Sequence, residues 1–251
     1  MSRLQGKVVL ITGGASGVGR ETARRVVEEG GRAVIADIDE AAGLAVVNEI
    51  GDAATFVSHD VSSEASWENL MSAVQTRFGK FDALVNSAAI CRTESIEDTS
   101  LDMLRQTLRI NLEGTFLGCK YGIARMKASG GGSIVNLSST AAIAGHTGMA
   151  AYTASKGAVT ALTRNVAAHC RSHGYRIRCN SILPAGIRTP MAVSILGNLD
   201  EQLTSFDQNP QSGFCEPSDV ANVIVFLASD ESRFINGAEM RVDNAFLVSL
   251  G

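Results

Sequence analysis

The stretch "VVLITGGASGVGRETARRV" (residues 8–26) decides the reading of this chain. It passes from a strand pattern through a glycine-rich turn into a helix pattern. Gly13, Gly17 and Gly19 fall as Gly-x-x-x-Gly-x-Gly, with Ser16 and Val18 set among them. Without side chains, the backbone can turn tightly and approach a pyrophosphate at a helix N-terminus, where free N–H groups and the helix dipole favour anions. A lone glycine pattern says little, but in the first strand–helix unit it points to a dinucleotide. The alternative is a structural turn with no ligand.

The pattern continues outward from this unit. Strands are predicted at "KVVLIT" from Lys7, "RAVIAD" from Arg32, "ATFVSHD" from Ala54, "DALVN" from Asp82, "SIVNLS" from Ser133, "RIRCNSI" from Arg176 and "EMRVD" from Glu239. They are mostly unbroken apolar runs, as expected of strands covered on both faces. Helical segments are predicted near 18–29, 40–50, 64–78, 101–128, 152–172 and 217–228. The alternation predicts an α/β fold: a Rossmann-type, doubly wound parallel sheet of about seven strands with helices on both faces. No linker divides the chain, so residues 1–251 read as one domain. The segment from about Pro190 to Pro217 shows no strand and little order beyond a short helix at "MAVSILGNL", and reads as a lid.

Bulk properties exclude several classes. The 251 residues are 45% hydrophobic and 19% charged, with a net charge of −4 and a pI near 5.6. That composition is globular and carries no basic field for nucleic acid. Five cysteines, at 91, 119, 170, 179 and 215, include no Cys-x-x-Cys pair and read as free thiols in a reducing compartment. His59, His146, His169 and His173 lack metal spacing. The N-terminus lacks a signal-peptide pattern, and no apolar run is long enough to span a bilayer. The expectation is a soluble cytoplasmic protein.

Asp37 ends the second strand, about twenty residues beyond the glycines. There a carboxylate can accept hydrogen bonds from an adenosine ribose and repel a 2'-phosphate. Ser16 is not basic either, and both features favour NAD over NADP. Asp39 is a competitor for this role.

The landmarks "TGGASGVG", "HDVSSEASW", "NSAA", "INLEGTFLG", "GSIVNLSS", "YTASKGAV" and "IRCNSILPAGIRTPM" occur in this order, closed by "FLASDESRFINGAEMRVDN". Together they resemble the classical short-chain dehydrogenase/reductase family along essentially the whole chain. Phrases such as "FVSHDVSSEASW" and "GYRIRCNSI" are most similar to bacterial hydroxysteroid dehydrogenases of the 3β/17β type. The resemblance implies hydride transfer between a nicotinamide cofactor and an alcohol or ketone.

It also implies site roles. Tyr152 would exchange the proton, and Lys156, one helical turn on, would acidify it and hold the nicotinamide ribose. A free tyrosine has a pKa of about 10, so as a base it must be acidified by several units. Ser139 would hydrogen-bond the substrate oxygen, with neighbouring Ser138 orienting the site. Asn111 would kink its helix and hold a relay water. Asp60 and Val61 would flank the adenine, and Asn86 opens the segment usually written Asn-Asn-Ala-Gly. Ile187 and Thr189, after Pro184, would grip the carboxamide. Departures from the family pattern are "NSAA", "LPAGI" and "VDNAF".

Met149, Met191, Val193, Ile195, Leu196 and Phe206 are candidates for an apolar pocket, or for ordinary lid packing. Three functions stand open: a dehydrogenase of bulky ring alcohols, one of smaller cyclic or aryl-alkyl alcohols, and a non-catalytic NAD sensor. By the resemblance, the long helices near 101–128 and 152–172 and the tail "AFLVSLG" imply a homo-oligomer, a dimer or tetramer.

Overall fold

The computed structural model describes residues 2–196, 204 and 206–249. Seven parallel strands form one sheet: β1 (Val8–Thr12), β2 (Arg32–Asp37), β3 (Ala54–Ser58), β4 (Ala83–Asn86), β5 (Gly132–Leu137), β6 (Ile177–Pro184) and β9 (Glu239–Val242), in the order β3-β2-β1-β4-β5-β6-β9. Each coincides with a predicted strand. All of β1 and β4 is buried, as apolar runs covered on both faces should be.

Helices α1 (Gly17–Glu28), α2 (Glu40–Ile50) and α8 (Pro217–Ala228) cover one face, through Val18, Ala23, Val26, Val46, Val220 and Ile224. Helices α3 (Glu64–Phe78), α5 (Gly114–Met126) and α6 (Ala150–Ser172) cover the other, around Trp67, Leu70, Met126 and Val166. Local chemistry sets the helix starts. Asp39 caps α2 by accepting from Ala42 N at 3.0 Å, and Ser63 caps α3 from Ser66 N. Asp39 is thus engaged as a cap.

The segment expected as one helix over 101–128 is α4 (Leu101–Leu108), a π turn (Arg109–Glu113) and α5. The widened turn lies at Asn111 and stands where a kink was expected. A second departure lies in the segment expected to lack strands. Phe214–Cys215 (β8) pairs in parallel with Gly186–Ile187 (β7), at the neck of the segment that holds α7 (Pro190–Leu196). Two residues are too few for a periodic signal, and only the approach of the chain's two passes creates the pairing. The last part of "MAVSILGNL" lies outside the described residues.

In "VDNAF", Asn244 and Ala245 take the left-handed region at φ 44° and 61°, where glycine is the usual occupant. Asn244 Nδ2 donates to Pro210 O at 2.9 Å and Ser212 O at 3.0 Å, so this departure ties the tail to the lid segment.

Candidate active site

β1 and β4 are neighbours, yet β2 and β3 extend the sheet on one side and β5 and β6 on the other. The crevice at their C-terminal ends is a topological switch point, where ligands bind in open α/β sheets. A cleft of about 320 Å³ opens there. Its walls come from strand and loop ends: Gly13, Ser16, Gly17 and Val18 after β1, Asp37 as the last residue of β2, Asp60 and Val61 after β3, and Ser87 to Ile90 after β4. Leu137, Ser138, Tyr152, Lys156, Pro184, Ile187 and Thr189 complete the far end.

The sequence-predicted residues divide into those on the cleft and those behind it. Gly13, at φ 66°, leaves a Cβ only 2.8 Å from Ala88 Cα, so any side chain there would strike the opposite wall. Gly19 does not line the cleft; its Cβ would fall 2.1 Å from Gly13 O, so it packs helix against turn. Asp37 does reach the cleft, with Oδ2 accepting from Ala15 N at 3.0 Å and Oδ1 from Asp39 N at 3.1 Å.

Asn86 points its side chain away. It is 4% exposed, and Nδ2 donates to Asn136 Oδ1 at 2.8 Å, whose own Nδ2 donates to Thr163 Oγ1 at 2.9 Å. The Asn86 side chain thus braces β4 against β5. Polar residues at the end of β4 can face either the cleft or the core, and the sequence alone does not tell which. In "NSAA", Ser87 N and Ala88 N donate to Thr12 Oγ1, which fixes that wall.

The far end holds the ionisable groups. Ser139 stands near enough to Tyr152 for its hydroxyl to favour the phenolate, and Ser139 Oγ accepts from Ala141 N at 3.1 Å. Ser138 is buried and bonded to Lys156 O at 3.0 Å and Thr160 Oγ1 at 2.7 Å. Lys156 is 3% exposed; its Nζ donates to Leu137 O at 2.7 Å and stands 5.5 Å from the Tyr152 ring centroid. Asn111, on the π turn, clasps Ile90 at both ends, with Oδ1 accepting from N at 2.8 Å and Nδ2 donating to O at 2.9 Å. Nδ2 also donates to Ser155 Oγ, which donates to Tyr152 O at 2.7 Å.

Burial is the largest influence on this charge balance. It pushes the Tyr152 phenol upward, the Cys91 thiol adds to that, and the nearby Ser139 hydroxyl opposes it. Burial also draws Lys156 down to about 8. Among the protein's own groups, desolvation of the phenolate sets the direction.

Of the apolar pocket candidates, Met191 lines the cleft. Val193, Leu196 and Phe206 are exposed, and Phe206 borders a separate hollow with Phe214 and Cys215. All five cysteines are free thiols. His169 and His173 meet on the surface with rings tilted by 38° and 4.1 Å between centroids, and no metal-holding cluster occurs among the described residues. His59, which the sequence marks only as lacking metal spacing, lies on the cleft wall. Its only signal was its place beside Asp60 after β3.

The cradle fits a dinucleotide. Gly13 gives the backbone approach, Asp37 presents a carboxylate, and Lys156 is the one cation on the described cleft wall. Such a cleft, with neighbouring hydroxyls and a lysine at its inner end, is that of the dinucleotide-dependent oxidoreductases. A family profile described as "Enoyl-(Acyl carrier protein) reductase" matches residues 13–246. The chain belongs to the short-chain dehydrogenase/reductase family and is an oxidoreductase of secondary alcohols and ketones that uses a nicotinamide cofactor.

Its relatives include the 3-beta-hydroxysteroid dehydrogenase of Comamonas testosteroni, 45% identical over 98% of both chains. The NADP-dependent (R)-specific alcohol dehydrogenase of Lentilactobacillus kefiri is 40% identical over 97% of this chain and 98% of its own. The crystal structure of levodione reductase superposes with a TM-score of 0.87 at 33% identity, covering 97% of this chain and 98% of the other.

Proposed function

We propose that the protein is an NAD(H)-dependent dehydrogenase that interconverts a secondary alcohol and a ketone on a bulky apolar ring substrate, such as a hydroxysteroid. The observation that carries this reading is the meeting of Tyr152 and Lys156, with Ser139 near Tyr152, at the inner end of a cleft that starts at the glycine turn. The nicotinamide, when bound, supplies or accepts the hydride.

Tyr152 takes the proton of the substrate hydroxyl in oxidation and returns it in reduction. Ser139, close to Tyr152, holds the same substrate oxygen. Lys156 holds the ribose hydroxyls and contributes the positive charge of that wall. Asn111 acts through Ile90 and Ser155, fixing the backbone on either side of the reacting groups and serving the proton relay. Gly13, Ser16, Gly17 and Val18 would take the pyrophosphate. Asp60 and Val61 would flank the adenine, and Pro184, Ile187 and Thr189 would meet the carboxamide.

Asp37 supports NAD over NADP, since a carboxylate held at the ribose position repels a 2'-phosphate. The steroid reading draws on the hydroxysteroid dehydrogenase relative. The smaller-substrate reading draws on the alcohol dehydrogenase and levodione reductase likenesses. A cytoplasmic location belongs to the same proposal and suits five free thiols.

A steady-state panel of hydroxysteroids and small secondary alcohols, run with both NAD and NADP, tests all of this. The expected result is the highest kcat/KM for a ring-hydroxyl steroid with NAD. A higher value for small alcohols moves the assignment to the second reading. Tight NADH binding without turnover on any alcohol would leave a sensor.

A further inference from the structure

Asn244 and Ala245 are the only residues other than glycine, among those described, whose backbone enters the left-handed region. Such conformations persist where the surroundings hold them, and they gather at clamps and switch regions. The surroundings here are the chain returning from the lid. Asn244 Nδ2 donates to Pro210 O at 2.9 Å and to Ser212 O at 3.0 Å, which engages both hydrogens of the amide. Gly213 lies against Phe246, and a Cβ on it would stand 3.6 Å from the ring. The tail thus holds residues 210–213 by two bonds and one packing contact.

Those residues run on to the cleft. Ser212 Oγ donates to Thr204 O at 2.6 Å and accepts from Phe214 N at 3.1 Å. Phe214 pairs with Gly186, and Cys215 with Ile187. A Cβ on Gly186 would fall 2.3 Å from the Phe214 ring, so the ring seats directly on the neck. Ile187, Thr189 and Met191 then line the cleft. The neck has an anchor of its own in Arg188, whose N–H donates to Cys215 O at 3.0 Å and whose Nη1 donates to Glu216 Oε1 at 2.7 Å. Beyond the neck, the hold on the returning pass comes from Asn244.

We infer that Asn244 is a positioning residue for the substrate side of the site: the tail straps the returning pass of the lid and so fixes where the lid stands when the alcohol or ketone binds. This rests on the dehydrogenase reading above and adds to it a residue outside the cleft. The cofactor side is spared, because Arg188 secures the neck separately.

Two variants test the strap. In Asn244→Gly the new residue enters the left-handed region freely, so the turn is kept and the two bonds are lost. Asn244→Asp keeps the side-chain shape but turns only acceptors toward two carbonyl oxygens. Amide hydrogen exchange of residues 206–214, read by mass spectrometry, reports the strap itself. Steady-state kinetics with the best alcohol of the panel report its purpose.

The expected result is faster exchange across 206–214 in both variants and unchanged exchange in the sheet. KM for the alcohol should rise about fivefold, as for one net hydrogen bond, while kcat and the NADH dissociation constant stay within about twofold. The aspartate variant should exceed the glycine variant in both readouts; should it not fold, the glycine variant alone decides. Exchange equal to the parent's overturns the strap. Faster exchange with an unmoved KM overturns the positioning role. A parent without turnover on any alcohol would instead remove the dehydrogenase reading, and the exchange comparison would still decide the strap.

Discussion

At the scale of single residues, burial rather than charge pairing governs the site. The Tyr152 phenol is raised and Lys156 lowered to about 8, so near neutral pH Tyr152 keeps its proton, which in the proposed role it would donate in ketone reduction. Alcohol oxidation needs the phenolate, so its rate should climb with rising pH, and a flat or falling profile contradicts the assignment. Tyr152→Phe removes the exchangeable proton while keeping the ring. Turnover should fall by about 10²–10⁴, the span of general acid–base catalysis, with NADH binding by fluorescence retained. Activity equal to the parent's would exclude the assigned role.

His59 carries a stability consequence of its own. Burial draws its pKa from 6.5 to about 4, against the pull of Ser66, Asp60 and Asp37. Between those values the unfolded chain binds a proton that the folded one refuses. Stability is therefore lost as pH falls from about 6.5 to 4, by roughly 3 kcal/mol from this group at 1.36 kcal/mol per unit. Urea unfolding at a series of pH values should show this slope, and His59→Asn should flatten it.

At the scale of elements, the π turn between α4 and α5 is the clearest case of tertiary need overriding local preference. Asparagine is a modest helix former, and π turns often mark functional sites. Here the widened turn directs Asn111 inward to clasp Ile90 and reach Ser155. Asn111→Ala deletes three buried hydrogen bonds and should cost about 2–3 kcal/mol, lowering Tm by roughly 5–10 °C. Activity should fall too, because the Ile90 wall and the Tyr152 backbone lose a common brace. A Tm within a degree of the parent's would show that the clasp carries no weight.

The seven strands were legible because each is a short apolar run closed by turn residues. The β7–β8 pairing was not, since two residues hold no period. The division of "RINLE" from the flanking helices was equally invisible, because its hydrogen-bond shift depends on what Asn111 meets across the cleft.

At the scale of the whole molecule, Phe116 on α5 and Phe246 and Val248 in the tail leave about half or more of their surface exposed. Exposed large apolar side chains on α5 and at the chain end suit contact between copies. The expected state is a dimer or tetramer, checked by sedimentation velocity at low concentration. A clean monomer would count against it. Phe116→Glu should shift the population toward smaller species if α5 lies in the contact, whereas an unchanged sedimentation coefficient would move the contact elsewhere.

The sequence by itself determined the sheet, the glycine turn and the identities of Asn111, Ser139, Tyr152 and Lys156. Their signals are local: strand runs, helix periods and motifs read within a few residues. Only the tertiary structure decided which of them meet and what they face. It turned Asn86 into the core, set Gly19 behind the cleft, made Asp39 a cap and left Asp37 on the wall. It also placed His59 at the cleft with an unpaired nitrogen. These outcomes depend on side-chain direction and desolvation, which arise when distant segments pack together and exclude water.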